Sequence, residues 1–288
     1  MQRVAFIGLG KMGEPMAANL LQKGFKVTVV GHRRPEPIER LKALGADVAA
    51  TPAEAAKNCE IAIVMLPGSS QVEQAIAGAN GLAETLPSGA IVVDCSTSNP
   101  VSTRKLAKQL AEKRVGFVDV GVTRGVVGAK QGKLAYFIGG KPDDFERVKP
   151  ALEAMGDTFF YMGDVGAGHE TKNISNALSY GTVALVGEML MLGQQFGLDL
   201  NALMEALMSG APSKALESFG PSIIAHKYDP ARVSVRNVCS HLAMTREIAP
   251  EGTALTLIST AKSLYDRVSE RGFDEADMSA IAEIWPGK

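Results

Sequence analysis

Residues 8–13 read Gly8-Leu9-Gly10-Lys11-Met12-Gly13, a GxGxxG spacing. An apolar run, Val4–Ile7, precedes it and a helical pattern, Met12–Gln22, follows it. In that setting each glycine has a separate task in holding a pyrophosphate. Gly8 permits a tight turn, Gly10 lets the backbone approach the anion, and Gly13 lets the helix pack close to the strand. The phosphates then rest on the positive end of the helix. Outside such a setting the spacing is an ordinary strand-to-helix turn, so the flanking pattern matters as much as the motif. About twenty residues beyond the loop, an NAD-selective domain places a carboxylate to hold the ribose 2′-hydroxyl. Here strand Lys26–Val30 is followed by Gly31-His32-Arg33-Arg34. No carboxylate repels a 2′-phosphate there, and two guanidiniums are available to bind one. NADP is expected, with NAD possible; the alternative is a solvated basic turn.

These residues need a scaffold, and the pattern supplies one. Val4–Ile7, Lys26–Val30, Ile61–Leu66, Ala90–Asp94, Gly116–Val120, Leu134–Ile138 and Thr158–Tyr161 read as strands. Helical patterns fall at Met12–Gln22, around Ile38–Leu44, at Pro100–Glu112 and at Asp143–Ala154. Short apolar strands alternating with helices predict a parallel sheet covered on both faces. After Gly163 the alternation stops, and one long helix is expected from Gly168 to Phe196. Its later half is apolar on most sides, so it belongs inside its own domain or against a partner. Further helices are expected around Asn201–Met208, His241–Ile248, Ala254–Glu270 and Asp274–Ile284. The expected fold is α/β: a Rossmann-type doubly wound parallel sheet over 1–163, joined by a long helix to an all-helical domain over 164–288. No internal repeat, low-complexity tract or flexible linker interrupts it.

Bulk properties exclude several classes. The 288 residues carry 30 basic and 31 acidic side chains, a net charge of −1, so no global field attracts nucleic acid or an anionic membrane. A small charged substrate would have to be recognised by local groups. Cys59, Cys95 and Cys239 form no CxxC pair, and no cluster has metal-ligand spacing, so no metal is expected. Sparse, odd cysteines fit a reducing cytoplasm. The opening MQRVAFIGLG enters a strand directly, without the apolar segment of a secretory signal. The apolar stretch from Ala177 to Leu198 contains Glu188, Gln194 and Gln195, which fits a buried helix and not a membrane span.

Together these residues resemble the β-hydroxyacid dehydrogenase family, a relative of 6-phosphogluconate dehydrogenase, over nearly the whole chain. Phe6 through Gly13 is similar to the family's opening fingerprint. Met65-Leu66-Pro67, Asp94-Cys95-Ser96-Thr97, Asp119 through Gly132, and Gly166-Ala167-Gly168 with Lys172 and Asn176 match later motifs. The resemblance implies a dinucleotide domain joined by a long helix to a helical domain, dimers or tetramers, and hydride transfer between a nicotinamide and a small hydroxy acid or its semialdehyde. It implies that Leu66, Pro67, Ser96 and Thr97 line the nicotinamide side of the cleft. It makes Lys172 the proton donor and acceptor, Asn176 a substrate-positioning group, and Thr123, Gly125 and Ser175 further substrate contacts. Lys172 and Asn176 are four apart and share a helix face. A lysine shielded from water beside a cationic group has a lowered pKa, which suits proton exchange near neutrality.

The chain also departs from the family. Its substrate turn reads Val122-Thr123-Arg124-Gly125, with an arginine where the family has a glycine. Arg124 is expected to fork onto the substrate's acid group; the alternative turns it outward to a surface acid. Ser175 replaces a second asparagine. Ser240-His241 stands where a lysine–aspartate pair usually covers the cofactor, with Ser240 as the expected cofactor contact and His241 either a partial replacement or a structural partner. Tyr180 is read as core or pocket wall. Two other readings stay open: an imine reductase-like enzyme, disfavoured by the presence of Lys172, and an NADP-binding sensor without turnover, favoured only by Ser240-His241.

Overall fold

The computed structural model describes residues 2–30 and 35–285. The chain divides into two compact units, Met1–Lys172 and Asn173–Lys288.

In the first unit the chain runs through β1 (Arg3–Ile7), α1 (Gly13–Gln22), β2 (Lys26–Val30), α2 (Glu36–Ala43), β3 (Asp47–Ala49), α3 (Pro52–Ala56), β4 (Ile61–Val64), α4 (Ser69–Ala77), β5 (Ile91–Asp94), α5 (Pro100–Ala111), β6 (Gly116–Thr123), α6 (Gly125–Gln131), β7 (Leu134–Gly140), α7 (Pro142–Glu153) and β8 (Gly156–Gly163). One eight-stranded sheet has the order β3-β2-β1-β4-β5-β6-β7-β8. Strands β1 to β6 are mutually parallel. The order reverses between β1 and β4, which leaves a crevice at their carboxyl ends, where doubly wound sheets bind dinucleotides. Alternate side chains enter the two apolar layers that flank the sheet. Val4, Phe6, Ile61 and Ile63 enter one layer, and Ala5, Ile7, Ala62 and Val64 the other. Burial on both faces explains why β4 reads as an unbroken apolar run.

The expected parallel sheet has one antiparallel pairing, where β7 runs against β6 with Thr123 opposite Ala135. Only residues 124–133 join the two strands, and a parallel crossover needs about a dozen or more. The chain therefore turns back, and β8 then pairs parallel with β7.

Helix α8 (Ala167–Gln195) begins in the first unit and continues into the second. The division at Lys172 falls later than the expected 163, because the first turn of α8 packs on β6 and β7. The second unit continues with α9 (Leu200–Gly210), α10 (Lys214–Ile224), α11 (Val235–Ile248), α12 (Thr256–Glu270) and a 3₁₀ segment, Met278–Ile284. Its core gathers Tyr180, Val183, Val238, Leu242, Tyr265 and Ile281. The sequence reading missed α10, whose Gly220 and Pro221 resemble breakers; Gly220 instead makes room for Met204 of α9. Helix α11 starts well before the expected His241, because Ser234 caps it by accepting from the Asn237 N–H at 3.4 Å. The expected helix Asp274–Ile284 is the shorter 3₁₀ turn, set by Asp277 accepting from the Ser279 N–H at 3.1 Å. Among the described residues, no helix is long and apolar enough to cross a membrane.

Candidate active site

At the switch point, the three glycines of the first turn have three different surroundings. Gly8 has φ +104°, and a Cβ there would collide with the Met65 carbonyl at the end of β4. A Cβ on Gly13 would strike the carbonyl of Gly8. A Cβ on Gly10 would meet nothing within 4 Å, so that side of its backbone is open. Helix α1 has Met12 at its N-cap and no side-chain cap. Its free N–H groups and positive end are therefore available to an anion. Leu9 and Met12 pack on the core below, and Lys11 is exposed. The cradle fits a dinucleotide pyrophosphate, with the backbone of Gly8 to Gly13 as its holder.

The neighbouring strand ends supply a buried polar wall. Ser96 Oγ accepts from the Leu66 N–H at 2.9 Å, and the Ser96 N–H donates to Asp94 Oδ1 at 2.9 Å. Ser98 Oγ donates to Asp94 Oδ2 at 2.8 Å. These bonds hold Leu66 and Ser96, two of the expected nicotinamide-side residues, in one rigid network; Thr97 is half-buried and Pro67 exposed beside them. His169 extends the network into α8. Its Nε2 lies 3.2 Å from the Asp94 carbonyl, which can only accept, so Nε2 carries the proton. Its Nδ1 lies 2.8 Å from Thr103 Oγ1 on α5.

Helix α8 is set down on the sheet with little clearance. A Cβ at Gly168 would lie 2.5 Å from the carbonyls of Asp119 and Phe137, and one at Gly139 2.7 Å from the Gly168 nitrogen. At Gly121 a Cβ would stand 2.7 Å from Lys172 Cβ. The absence of side chains at Gly121, Gly139 and Gly168 is what brings Lys172 against β6. Buried Asp119 closes the helix start, accepting from the N–H of Gly166 at 2.7 Å and of His169 at 2.9 Å. A carboxylate at a helix N-terminus satisfies orphan donors and complements the dipole. Burial lowers the Lys172 pKa to about 8. The expected cationic neighbour plays no part in that shift; loss of water alone disfavours the ammonium.

The second unit holds a distinct cluster. Asn176, one turn beyond Lys172 on α8, is buried, and its Nδ2 lies 3.4 Å from His241 Nδ1 on α11. Tyr180 Oη lies 2.8 Å from the same nitrogen, with the two rings stacked at 6.0 Å. Sequence reasoning had Tyr180 as wall and His241 as one of two possibilities; it did not join them. Their one signal was residues 176 and 180 sharing a face of α8. Ser240 is exposed on α11, and Ser175 is half-buried on α8.

Of the two orientations expected for Arg124, the structure has the outward one. Its guanidinium donates to Asp157 Oδ1 at 2.6 Å, to the Lys133 carbonyl at 2.9 Å and to Thr158 Oγ1 at 2.9 Å. The outward pairing prevails because β8, brought beside β7 by the fold, presents Asp157 and Thr158. The Thr158 hydroxyl and then Arg124 hold the Asp157 carboxyl below its usual range. Thr123 ends β6, and Gly125 opens α6 with φ +59°. The basic turn Gly31-His32-Arg33-Arg34 lies outside the described residues.

A family profile for the NAD binding domain of 6-phosphogluconate dehydrogenase matches residues 3–163, and one for the NAD-binding of NADP-dependent 3-hydroxyisobutyrate dehydrogenase matches residues 166–285. The chain belongs to the β-hydroxyacid dehydrogenase family. It is 37% identical to a 3-hydroxyisobutyrate dehydrogenase of Pseudomonas aeruginosa, covering 100% of both chains. It is 32% identical to a 3-sulfolactaldehyde reductase of Escherichia coli, covering 98% of this chain and 95% of that one. The crystal structure of a 3-hydroxyisobutyrate dehydrogenase from Salmonella typhimurium superposes with a TM-score of 0.88 at 26% identity, covering 99% of this chain and 100% of that one. Membership makes this β-hydroxyacid dehydrogenase an oxidoreductase acting on CH–OH groups, with a nicotinamide dinucleotide domain at its N-terminus.

Proposed function

We propose that the chain is an NADP(H)-dependent enzyme that interconverts a small anionic 3-hydroxy acid and its semialdehyde, with Lys172 donating or accepting the proton at the substrate oxygen. The observation that carries this reading is Lys172 itself. It is a lysine seated by glycines against β6, and burial brings its pKa to about 8, so both protonation states are accessible near neutral pH. When bound, the dinucleotide supplies or takes up the hydride. The chain's own residues then have one proton to move and a substrate to hold. Asn176, one turn along α8, and Ser175 beside it offer hydrogen bonds to the substrate. Arg33 and Arg34 support NADP over NAD through a 2′-phosphate contact. The names of the relatives, a hydroxyisobutyrate dehydrogenase and a sulfolactaldehyde reductase, support a small anionic substrate.

The test is nicotinamide oxidation with NADPH and with NADH against glyoxylate, tartronate semialdehyde, succinic semialdehyde, methylmalonate semialdehyde and sulfolactaldehyde. Turnover of at least one, faster with NADPH, is expected. Binding of NADPH with no turnover of any of them overturns the reading in favour of a sensor. Equal use of both cofactors overturns the NADP assignment alone.

We further expect a homodimer or homotetramer. Ile174, Leu178, Leu185, Met189 and Leu192 stand exposed along α8, and Phe196 just beyond its end, at spacings of four, seven, four, three and four. Such a stripe is the seam of a helix that a second copy covers. Light scattering that returned a monomer mass would remove this expectation.

A further inference from the structure

We propose that His241, pinned by Tyr180, is a positioning residue that fixes which edge of the Asn176 amide is presented to the substrate. The inference deepens the functional reading above and rests on Asn176 engaging the substrate.

An imidazole nitrogen offers either one in-plane lone pair or one N–H, never both. Two groups converge on Nδ1 of His241: Tyr180 Oη at 2.8 Å and Asn176 Nδ2 at 3.4 Å. Both carry hydrogens. Burial raises the Tyr180 pKa, so its phenol stays protonated and can donate as well as accept. The Asn176 amide nitrogen only donates. Nδ1 therefore accepts, and the ring is the neutral tautomer with its proton on Nε2. The ring has little freedom to do otherwise. It stacks on Tyr180 with 13° between the planes, and the Tyr180 carbonyl in turn accepts from Tyr265 Oη at 3.5 Å. Tyr180 is 3% exposed and Asn176 7%.

The consequence falls on Asn176. Rotating its amide by half a turn would bring Oδ1 against the Nδ1 lone pair, acceptor against acceptor. His241 therefore holds the nitrogen inward and leaves Oδ1, an acceptor, as the edge turned away from the ring. An acceptor edge suits a donor on the substrate, a hydroxyl. The opposite orientation would present N–H to a carbonyl or carboxylate. The choice between the two is made by a residue on α11.

Two measurements test this. The first does not depend on turnover. In protein labelled with ¹⁵N-histidine, whose four histidines are assigned with the aid of His241→Asn, the imidazole nitrogens report the tautomer directly. An unprotonated, hydrogen-bonded Nδ1 near neutral pH, perturbed by Tyr180→Phe and by Asn176→Ala, is expected. A protonated Nδ1 overturns the proposal. The second uses a substrate found by the screen. His241→Leu should raise KM for the hydroxy acid about tenfold with kcat little changed, the cost of a freed and misdirected hydrogen bond. His241→Asn, whose Oδ1 can occupy the place of Nδ1, should recover part of that loss; His241→Gln, which reaches instead toward the Nε2 position, should not. Tyr180→Phe should lie between. If Leu, Asn and Gln variants lose activity equally together with melting temperature, His241 is merely structural and the proposal fails. Should the screen find no substrate while Nδ1 proves to be the acceptor, the functional reading falls and the hydrogen-bond assignment stands.

Discussion

Two helices of the first unit begin in opposite ways. Helix α1 starts open: its N-cap is Met12, no side chain closes it, and a Cβ on Gly10 would meet nothing. Helix α8 starts closed: buried Asp119 takes the N–H groups of Gly166 and His169, and glycines on β6 and β7 press the first turn onto the sheet. Both ends rely on glycine, for different reasons. An open end keeps its dipole and donors for a ligand that arrives later. A closed end uses them up within the protein, and what it gains is the fixed position of a side chain, here Lys172. Hence the same type of residue marks a binding site in one place and the mounting of a proposed proton donor in the other.

The largest effect expected from breaking this contrast is at Lys172. Lys172→Met should lower kcat by about 10²–10⁴ while leaving NADPH affinity near that of the wild type. The pH dependence has a definite sign. With its pKa near 8, Lys172 in the proposed role donates only when protonated, so aldehyde reduction should hold below about 8 and fall above it. Oxidation of the hydroxy acid needs the neutral amine and should fall as pH drops below the same value. Stability is linked in the same sense. The folded pKa is depressed from 10.5, so the unfolded chain binds more protons between about 8 and 10.5, and stability rises with pH across that window. Lys172→Met should therefore melt higher than the wild type below about 8, with the difference closing toward 10.5.

The glycines of the open end should separate folding from binding. Gly13→Ala places a Cβ against the Gly8 carbonyl and should cost about 1–3 kcal/mol of stability as well as cofactor affinity. Gly10→Ala meets no neighbour, so melting should stay level or rise slightly while NADPH binding weakens. A parallel loss of stability in both variants would remove the distinction between the two glycines.

At the closed end, Asp119→Asn keeps the size but offers one acceptor oxygen to two buried N–H groups. Leaving one unpaired should cost about 1–3 kcal/mol, seen in denaturant unfolding, with a drop in kcat through Lys172. The smallest effect is expected at Arg124. Its partners Asp157 and Thr158 are on an exposed edge, so Arg124→Gln should leave KM for anionic and neutral aldehydes alike unchanged. A selective rise for the anionic substrate would instead support the anion-binding fork.

Much of this was legible in residue order. The GxGxxG turn could be read because all of its requirements are local: a strand before it, a helix after it, and backbone-to-backbone contacts within a few residues. Lys172 and Asn176 could be paired because helix spacing alone puts them on one face. Arg124 could not be read. Its identity suggested an anion-binding fork, but its partner Asp157 reaches it only because β8 lies beside β7, and the antiparallel turn of β7 followed from a connection too short to cross over.

By itself the sequence determined the alternation of strands and helices, the open phosphate turn and the family, since each depends on short-range periodicity or on motifs of adjacent residues. Only the tertiary structure decided that Asp119 closes α8, that His169 ties it to Asp94, and that His241 meets Tyr180 and Asn176. Each of those bonds joins residues about fifty or more positions apart, and the identity of a polar side chain states what it can bond to but not which partner the packed chain will bring within 3 Å or so.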